Sequence, residues 1–219
     1  ILADHGEEFW EHGAVGHVTH VYNEVLHVPL IIRLPGELRP AKRVTDLVNM
    51  GDVFATVLAR LAMPVPPGLD SQSLLPLASP DAYPGPYVRA KVVSQLVIRA
   101  DDLSRLQGRP VEWCTRSICT KNQKYITSDQ KSVLLGKTAE SETPNSEDEE
   151  LYDLQNDPSE KRNLAAEQPA ALQDSRDFLR DFLNQSIAAQ SSHMRQQAGA
   201  TGLTEEANAA LKALGYLGN

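Results

Sequence analysis

Ile1-Leu2-Ala3-Asp4-His5-Gly6-Glu7 opens the chain, and its reading decides the fold. Three apolar residues followed by a carboxylate, an imidazole and a glycine read as the end of a buried strand and the turn beyond it. In open α/β sheets, ligands bind just past the carboxyl ends of strands. Gly6 suits such a turn because, lacking a Cβ, it allows an unusual backbone angle or a close approach by another segment. Asp4 and His5 then stand side by side where a ligand would lie. A carboxylate offers hard oxygen to Ca²⁺, Mg²⁺ or Zn²⁺, and a neutral imidazole suits transition ions better. The plainer reading of Asp4-His5-Gly6 is a turn in which Asp4 caps a backbone amide.

Five of the six histidines fall within the first 27 residues: His5, His12, His17, His20 and His27. His17 and His20 are spaced like a helical metal pair, but Gly16 before them points to irregular chain. A histidine near an anionic leaving group can donate a proton, because imidazole titrates near neutrality; the competing reading is ordinary loop histidines. Glu7, Glu8 and Glu11 read as a solvated or helix-start charge run rather than ligands, and Trp10 and Trp113 as packing residues, with Trp10 close enough to the histidines to line a pocket.

Further along, residues 22–26 predict a short helix. Val28-Pro29-Leu30-Ile31-Ile32-Arg33 predicts a strand buried on both faces, ended by Pro35-Gly36. Residues 44–50 predict a further short strand. Asp52 predicts a helix N-cap, with Val53, Phe54, Val57, Leu58 and Leu61 as the buried stripe. Residues 69–86 are rich in Ser, Pro and Gly and predict a surface connection. Residues 87–99 are β-rich, and residues 116–120 and 124–127 flank Lys121-Asn122-Gln123 as a hairpin. Residues 132–135 predict another strand, 138–150 a mobile acidic loop, and Pro169 the first position of a helix running to about Ile187. Ser191 to Gly202 reads as a polar linker, and Thr204 caps a last short helix that Gly215 ends. These elements divide the chain into an α/β part over 1–86, a small α+β part over 87–190, and a linker with a terminal helix over 191–219.

The 219 residues carry 29 acidic and 21 basic side chains, a net charge of −8. That balance argues against nucleic acid as a partner, since no basic patch is present to neutralise phosphates. No apolar run approaches the roughly 20 residues that span a bilayer, and no secretory signal follows Ile1, which leaves localisation open. Cys114 and Cys119 are too few for a disulfide framework; five positions apart on a strand they face opposite sides, so two free thiols are expected.

Beyond composition, several blocks occur together. Ala3-Asp4-His5-Gly6-Glu7, Gly16-His17 and residues 22–32 resemble the second signature block of sulfatases. Residues 52–58, 68–77, 150–160 and Asn163-Leu164-Ala165 are similar to later blocks of that family, and residues 211–217 to the closing segment of bacterial arylsulfatase-like members. On this resemblance the chain is identified as the carboxyl-terminal portion of a sulfatase of the alkaline phosphatase superfamily. The implied fold is α/β: part of an alkaline-phosphatase-like mixed sheet with helices, then a small α+β subdomain with a short antiparallel sheet. Asp4 and His5 match two late metal ligands, with Ca²⁺ the implied ion. His17 matches a basic position that contacts the sulfate and assists the leaving oxygen, and His20 lies near enough to share that role. The implied substrate is a sulfated, or phosphorylated, small molecule or glycan. Many relatives are periplasmic or extracellular.

The departures are specific. The family's nucleophile is a formylglycine made from the Cys or Ser of a C/S-x-P/A-x-R motif. Cys114-Thr115-Arg116-Ser117-Ile118 does not match it, and the early aspartate pair has no counterpart here. The resemblance therefore implies that a missing amino-terminal half supplies the nucleophile and further ligands, and that the chain alone is inactive. Half a mixed sheet also leaves open edges and an apolar face, which favours aggregation or dependence on a partner. The competing readings are a phosphodiesterase or phosphonate hydrolase of the same superfamily, and a non-catalytic module or pseudoenzyme.

Overall fold

A computed structural model describes residues 1–17, 20–35, 42–66, 68–98, 113–128 and 149–199. The strand expected at 132–135, most of the acidic loop expected at 138–150 and the helix expected after Thr204 lie outside these residues. The chain forms two compact units, Ile1–Ser175 and Arg176–Asn219. The first contains β1 (Glu8–Phe9), β2 (Val15–Gly16), α1 (Asn23–Leu26), α2 (Gly51–Arg60), α3 (Leu75–Ala78), β3 (Val92–Ile98), β4 (Trp113–Cys119), β5 (Gln123–Ser128) and β6 (Glu149–Asp153). A helix, α4 (Pro169–Gly199), begins in the first unit and continues through the described part of the second.

The four-stranded antiparallel sheet runs in the order β3-β4-β5-β6. The expected hairpin is present, with Ile118 opposite Tyr125 and Ser117 opposite Ile126. Cys114 is buried, Cys119 half-buried, and neither forms a disulfide. Residues of β5 from Lys124 to Thr127 are buried on both faces of the sheet. On one face Lys124, Ile126, Glu150 and Tyr152 lie together, since opposed residues share a side. Onto this face folds the segment 21–26: Val21, Ile126 and Tyr152 form a core cluster, with Tyr22, Leu26, Leu96 and Leu154 packed against it. Each such fully buried side chain stabilises by about 1.5–3 kcal/mol. The histidine-bearing opening of the chain is thus fixed to the sheet of the later part.

The loop after β6 adds polar ties. Asp153 accepts hydrogen bonds from the Gln155 and Asn156 backbone amides. Asp157 accepts one from the Arg162 amide, and Asn163 bridges Leu151 and Glu149 of β6. Glu160, in the left-handed region at φ 53°, is fully buried; its carboxylate meets Lys124 Nζ at 2.8 Å and accepts the Asn23 amide at 2.6 Å. Lys124 also donates to Asn23 Oδ1. Burial pushes the Lys124 ammonium below the usual lysine value, against the pull of Glu160.

Several expected elements differ. In place of a strand over 28–33, Leu30 makes only an isolated antiparallel bridge to Leu2, tied by Ile31 N–H to Ile1 O at 2.8 Å. Residues 44–50 form no strand. A doubly buried strand needs neighbours on both sides, and the described residues provide only the edge of Leu2; Ile31 stays 60% exposed. In α2 the expected apolar stripe is largely open: Phe54 and Val57 are each 51% exposed and Leu61 62%. The buried side of α2 is instead Asp52, Ala55 and Thr56. Asp52 lies in the first turn and not at the N-cap: its carboxylate accepts the Asn49 amide while Asn49 Oδ1 accepts the Asp52 amide, a reciprocal capping box. That carboxylate also binds Tyr87 Oη at 2.7 Å and the Arg89 guanidinium at 2.7 Å. Burial and the Asp52 hydrogen bond push the Tyr87 phenol up to about 12. Residues 191–199, expected as linker, continue α4. Trp10, expected to pack, is 71% exposed.

Replacing Lys124 with Ala strands the buried Glu160 carboxylate, and we expect a loss of about 3–5 kcal/mol, read as a lower midpoint in urea unfolding.

Candidate functional site

Gly6 anchors the site. Its amide donates to Val25 O at 2.8 Å, and a Cβ built on it would stand 1.9 Å from Glu24 O. The close approach expected of this glycine is therefore real, and it lays the Asp4-His5 turn directly against α1. Asp4 Oδ1 accepts the His5 amide, the capping bond that the plainer sequence reading foresaw. Backbone amides of Asp4 and His5 hold the Asp4 carboxyl below its usual range, with His5 adding to the effect.

The second Asp4 oxygen, Oδ2, lies 3.8 Å from His5 Nε2. His5 Nδ1 is 3.0 Å from Gly6 O. A carbonyl only accepts, so this contact places the proton on Nδ1 and leaves the Nε2 lone pair on the Asp4 side. Two donor atoms, one oxygen and one nitrogen, thus converge at the end of the opening segment. Asp4 and His5 lie at the wall of a cleft of 1450 Å³ whose lining includes Leu30, Ile31, Asn49 and Val93.

Besides His5 beside Asp4, three histidines meet three further carboxylates. His17 Nδ1 contacts Glu7 Oε1 at 2.8 Å, and its ring stacks on His5 with centroids 3.8 Å apart. His20 Nδ1 contacts Glu8 Oε2 at 2.8 Å, so it is held by a different acid from His17. His12 stacks on Tyr22 at 3.6 Å. Its Nε2 reaches Glu160 O and its Nδ1 lies 3.6 Å from Glu24 Oε2, which makes it a packing residue. The structure therefore brings Asp4, His5 and His17 together and sets His20 on its own partner.

Glu8 corrects the reading of a solvated charge run, while Glu7 and Glu11 are exposed as expected. Glu8 is 1% exposed, and its carboxylate accepts the His12 and Ala14 amides as well as His20. Burial raises its proton affinity, but these bonds more than offset that and hold the carboxyl below its ordinary value. Because β1 pairs with β2 through Glu8 opposite Gly16, continuing the register sets Glu7 opposite His17. Neighbouring strand residues point to opposite faces, so Glu8 turns inward and Glu7 outward. Hairpin register was the missing signal: two residues at each strand are too short a run to show periodicity.

No protein-family model matches this chain. It is similar to arylsulfatase K of Homo sapiens, 29% identical over 168 residues that cover 76% of this chain and 27% of that protein. It is also similar to arylsulfatase K of Gallus gallus, 31% identical over 188 residues, 84% of this chain and 30% of that protein. Among solved structures, a 2-O GAG sulfatase superposes with a TM-score of 0.67 and 25% identity, covering 88% of this chain and 37% of the other. The chain spans less than a third of the length of these two curated relatives. No helix of the described residues is long and apolar enough to cross a membrane.

Two outcomes follow from the geometry. Gly6→Ala forces a Cβ into the Glu24 carbonyl, and a destabilisation of at least about 1–3 kcal/mol is expected, with His5 and His17 ring resonances shifting in NMR spectra. Glu8 has a folded-state value lower than its unfolded value of 4.5. Its contribution is therefore present above that pH and lost as the pH falls through the folded value. Amide exchange protection at His12 and Ala14 should fade below that pH, and Glu8→Leu, which removes the acceptor, should lose the protection at neutral pH as well.

Proposed function

We propose, for a chain that is homologous to the carboxyl-terminal portion of sulfatases, that its opening segment supplies the late half of a sulfuric ester hydrolase centre. The observation that carries this is the convergence of Asp4 Oδ2 and His5 Nε2 at 3.8 Å, beside the stacked ring of His17.

Asp4 and His5 fit a divalent ion as partial ligands. Asp4 keeps Oδ2 free of the amide that engages Oδ1, and Gly6 O fixes the His5 tautomer that exposes Nε2, an outer hydrogen bond of the kind that orients metal-bound imidazoles. The ion we assign is Ca²⁺, which takes six to eight oxygen ligands; the remaining ligands, and the formylglycine nucleophile, belong to a part of the parent polypeptide outside these 219 residues. When bound, such an ion supplies Lewis-acid polarisation of the sulfate oxygens.

The protein's own part is proton handling and orientation. Glu7 accepts from His17 Nδ1, so the opposite ring nitrogen, Nε2, is the one turned to the substrate. A protonated His17 gives its Nε2 proton to the departing alcohol oxygen, avoiding release of a bare alkoxide. Glu7 stabilises the imidazolium before transfer and holds the ring's orientation afterwards. His20, held by the inward-turned Glu8, stands apart from this group and is given no share in it. The substrate class we assign is a sulfated glycan, the class on which the similar 2-O GAG sulfatase acts by its name.

In the complete polypeptide, His17→Ala should lower kcat on a sulfated substrate by about 10²–10⁴-fold, with the loss greatest for substrates with poor leaving groups. Equal losses for good and poor leaving groups would remove His17 from the acid role. The isolated chain should show no aryl sulfate turnover above buffer, and measurable turnover would overturn the assignment of the nucleophile to another part.

A further inference from the structure

His12 packs on Tyr22, but its two ring nitrogens are unequally served. Its side chain is only 9% exposed. Nε2 lies 3.0 Å from Glu160 O, and a carbonyl only accepts, so Nε2 carries a proton. Nδ1 faces Glu24 Oε2 at 3.6 Å, and neither of these buried atoms has a hydrogen-bond partner among the described residues. A neutral imidazole with its proton on Nε2 would turn a lone pair toward a carboxylate oxygen. We propose that His12 is an imidazolium in the folded chain, held by Glu24, and that this second proton latches the β1–β2 hairpin onto α1 and the loop after β6.

The surrounding charges favour it. Lys124 meets Glu160 at 2.8 Å with both side chains buried, and Glu24, itself only 18% exposed, adds to the pull of Glu160 on the Lys124 ammonium. Two carboxylates thus share one ammonium. Buried charge is tolerated when it is paired, and an imidazolium at His12 is the fourth member that balances the group. Tyr22 stacks on the His12 ring with centroids 3.6 Å apart and planes 15° from parallel, and an aromatic face attracts a cation. The Tyr22 hydroxyl donates to Glu150 Oε2, which enriches that face in electrons. On the hairpin itself Glu8 accepts the His12 amide and holds His20, and Lys161 Nζ donates to Glu11 O. Carboxylates therefore outnumber ammonium groups around the ring.

Charge-assisted N–H···O bonds run at about 2.7–2.9 Å, so the Glu24 contact needs to close by less than about 1 Å. His12 lies in the turn between β1 and β2, and fixing its ring fixes that turn. Its carboxylate partner stands in α1 and its carbonyl partner in the loop after β6. The latch thereby ties the hairpin that leads to His17 to the body of the unit. Linkage gives the sign. The unfolded chain releases this proton near the ordinary imidazole value of about 6.5, so the contribution of the latch is present below that pH and is lost as the proton leaves the folded chain at higher pH. No ion, sulfate or missing segment is needed for the latch, which therefore goes beyond the sulfatase reading.

The test is imidazole ¹⁵N spectroscopy of the unaltered 219-residue chain at about pH 7.5, above the ordinary imidazole value. His12 should show both nitrogens protonated. A neutral Nε2–H tautomer there overturns the proposal, whichever nearby group then holds the proton. Glu24→Gln keeps the shape and removes the charge, and the His12 ring should then turn neutral at the same pH; an imidazolium that persists also overturns it. The latch is read separately in amide exchange. Protection of the Trp10 amide, which bonds Ala14 O across the hairpin, should fall as the pH is raised from about 6.5 to about 9, after correction for intrinsic base catalysis, by about tenfold or more. Glu24→Gln should abolish that dependence, and corrected protection that stays flat in the unaltered chain overturns the latch. None of these readouts involves turnover, so the leaving-group test on His17 stands or falls by itself.

Discussion

Lys124 and Glu160 meet at 2.8 Å with both side chains withdrawn from water, and much of the first unit is organised around that contact. A buried charge is tolerated only when it is paired and hydrogen-bonded. Lys124 brings the central strand of the sheet, Glu160 the loop after β6, and Asn23 the start of α1, which binds both of them. Three segments far apart in the chain are therefore fixed at one point. Through α1 the constraint passes to Gly6, whose amide bonds Val25 O, and so to Asp4 and His5. Through Glu160 O it passes to His12 and the hairpin that carries His17. Breaking the pair would leave an unpaired charge in the interior, which is why this contact outranks the exposed ion pairs such as Arg162–Glu167.

This arrangement gives the residues 150–165 a structural meaning. Asp153, Asp157, Glu160 and Asn163 each cap an amide or pair with a buried charge, while Leu164 and Ala165 are buried. Their spacing reflects a tight polar loop that returns the chain from β6 toward α4. None of the four is grouped with the His5 cluster; Glu160 is linked to it through Asn23 and His12.

The same chain exposes much apolar surface. Ile1 is 86% exposed, and Phe54, Val57 and Leu61 are each more than half exposed on one helix. Since the chain spans less than a third of the two arylsulfatase K sequences, an amphipathic helix with its apolar stripe open is what a separated portion of a larger domain presents. Sequence periodicity correctly marked that stripe as apolar and could not say what lies against it, because burial of a helix face depends on a neighbour supplied elsewhere.

Local chemistry was legible in the sequence wherever a residue's own backbone or immediate neighbours set the outcome. Gly6 was open to an unusual backbone angle or a close approach and takes the second, residues 22–26 were expected as a short helix that spans Asn23–Leu26, Lys121-Asn122-Gln123 was expected to join a hairpin and does, and Cys114 and Cys119 form no disulfide. The blocks shared with sulfatases likewise needed no coordinates. Tertiary structure alone decided what depends on contacts between distant segments. It turned Glu8 inward and Glu7 outward, split His17 from His20, reduced the strand expected at 28–33 to one bridge at Leu30, and made Asp52 the partner of Tyr87 and Arg89. The physical reason is the same in each case. A carboxylate or an apolar run has one character in the sequence, but its energy depends on whether a hydrogen-bond donor or a packing surface arrives from another part of the chain.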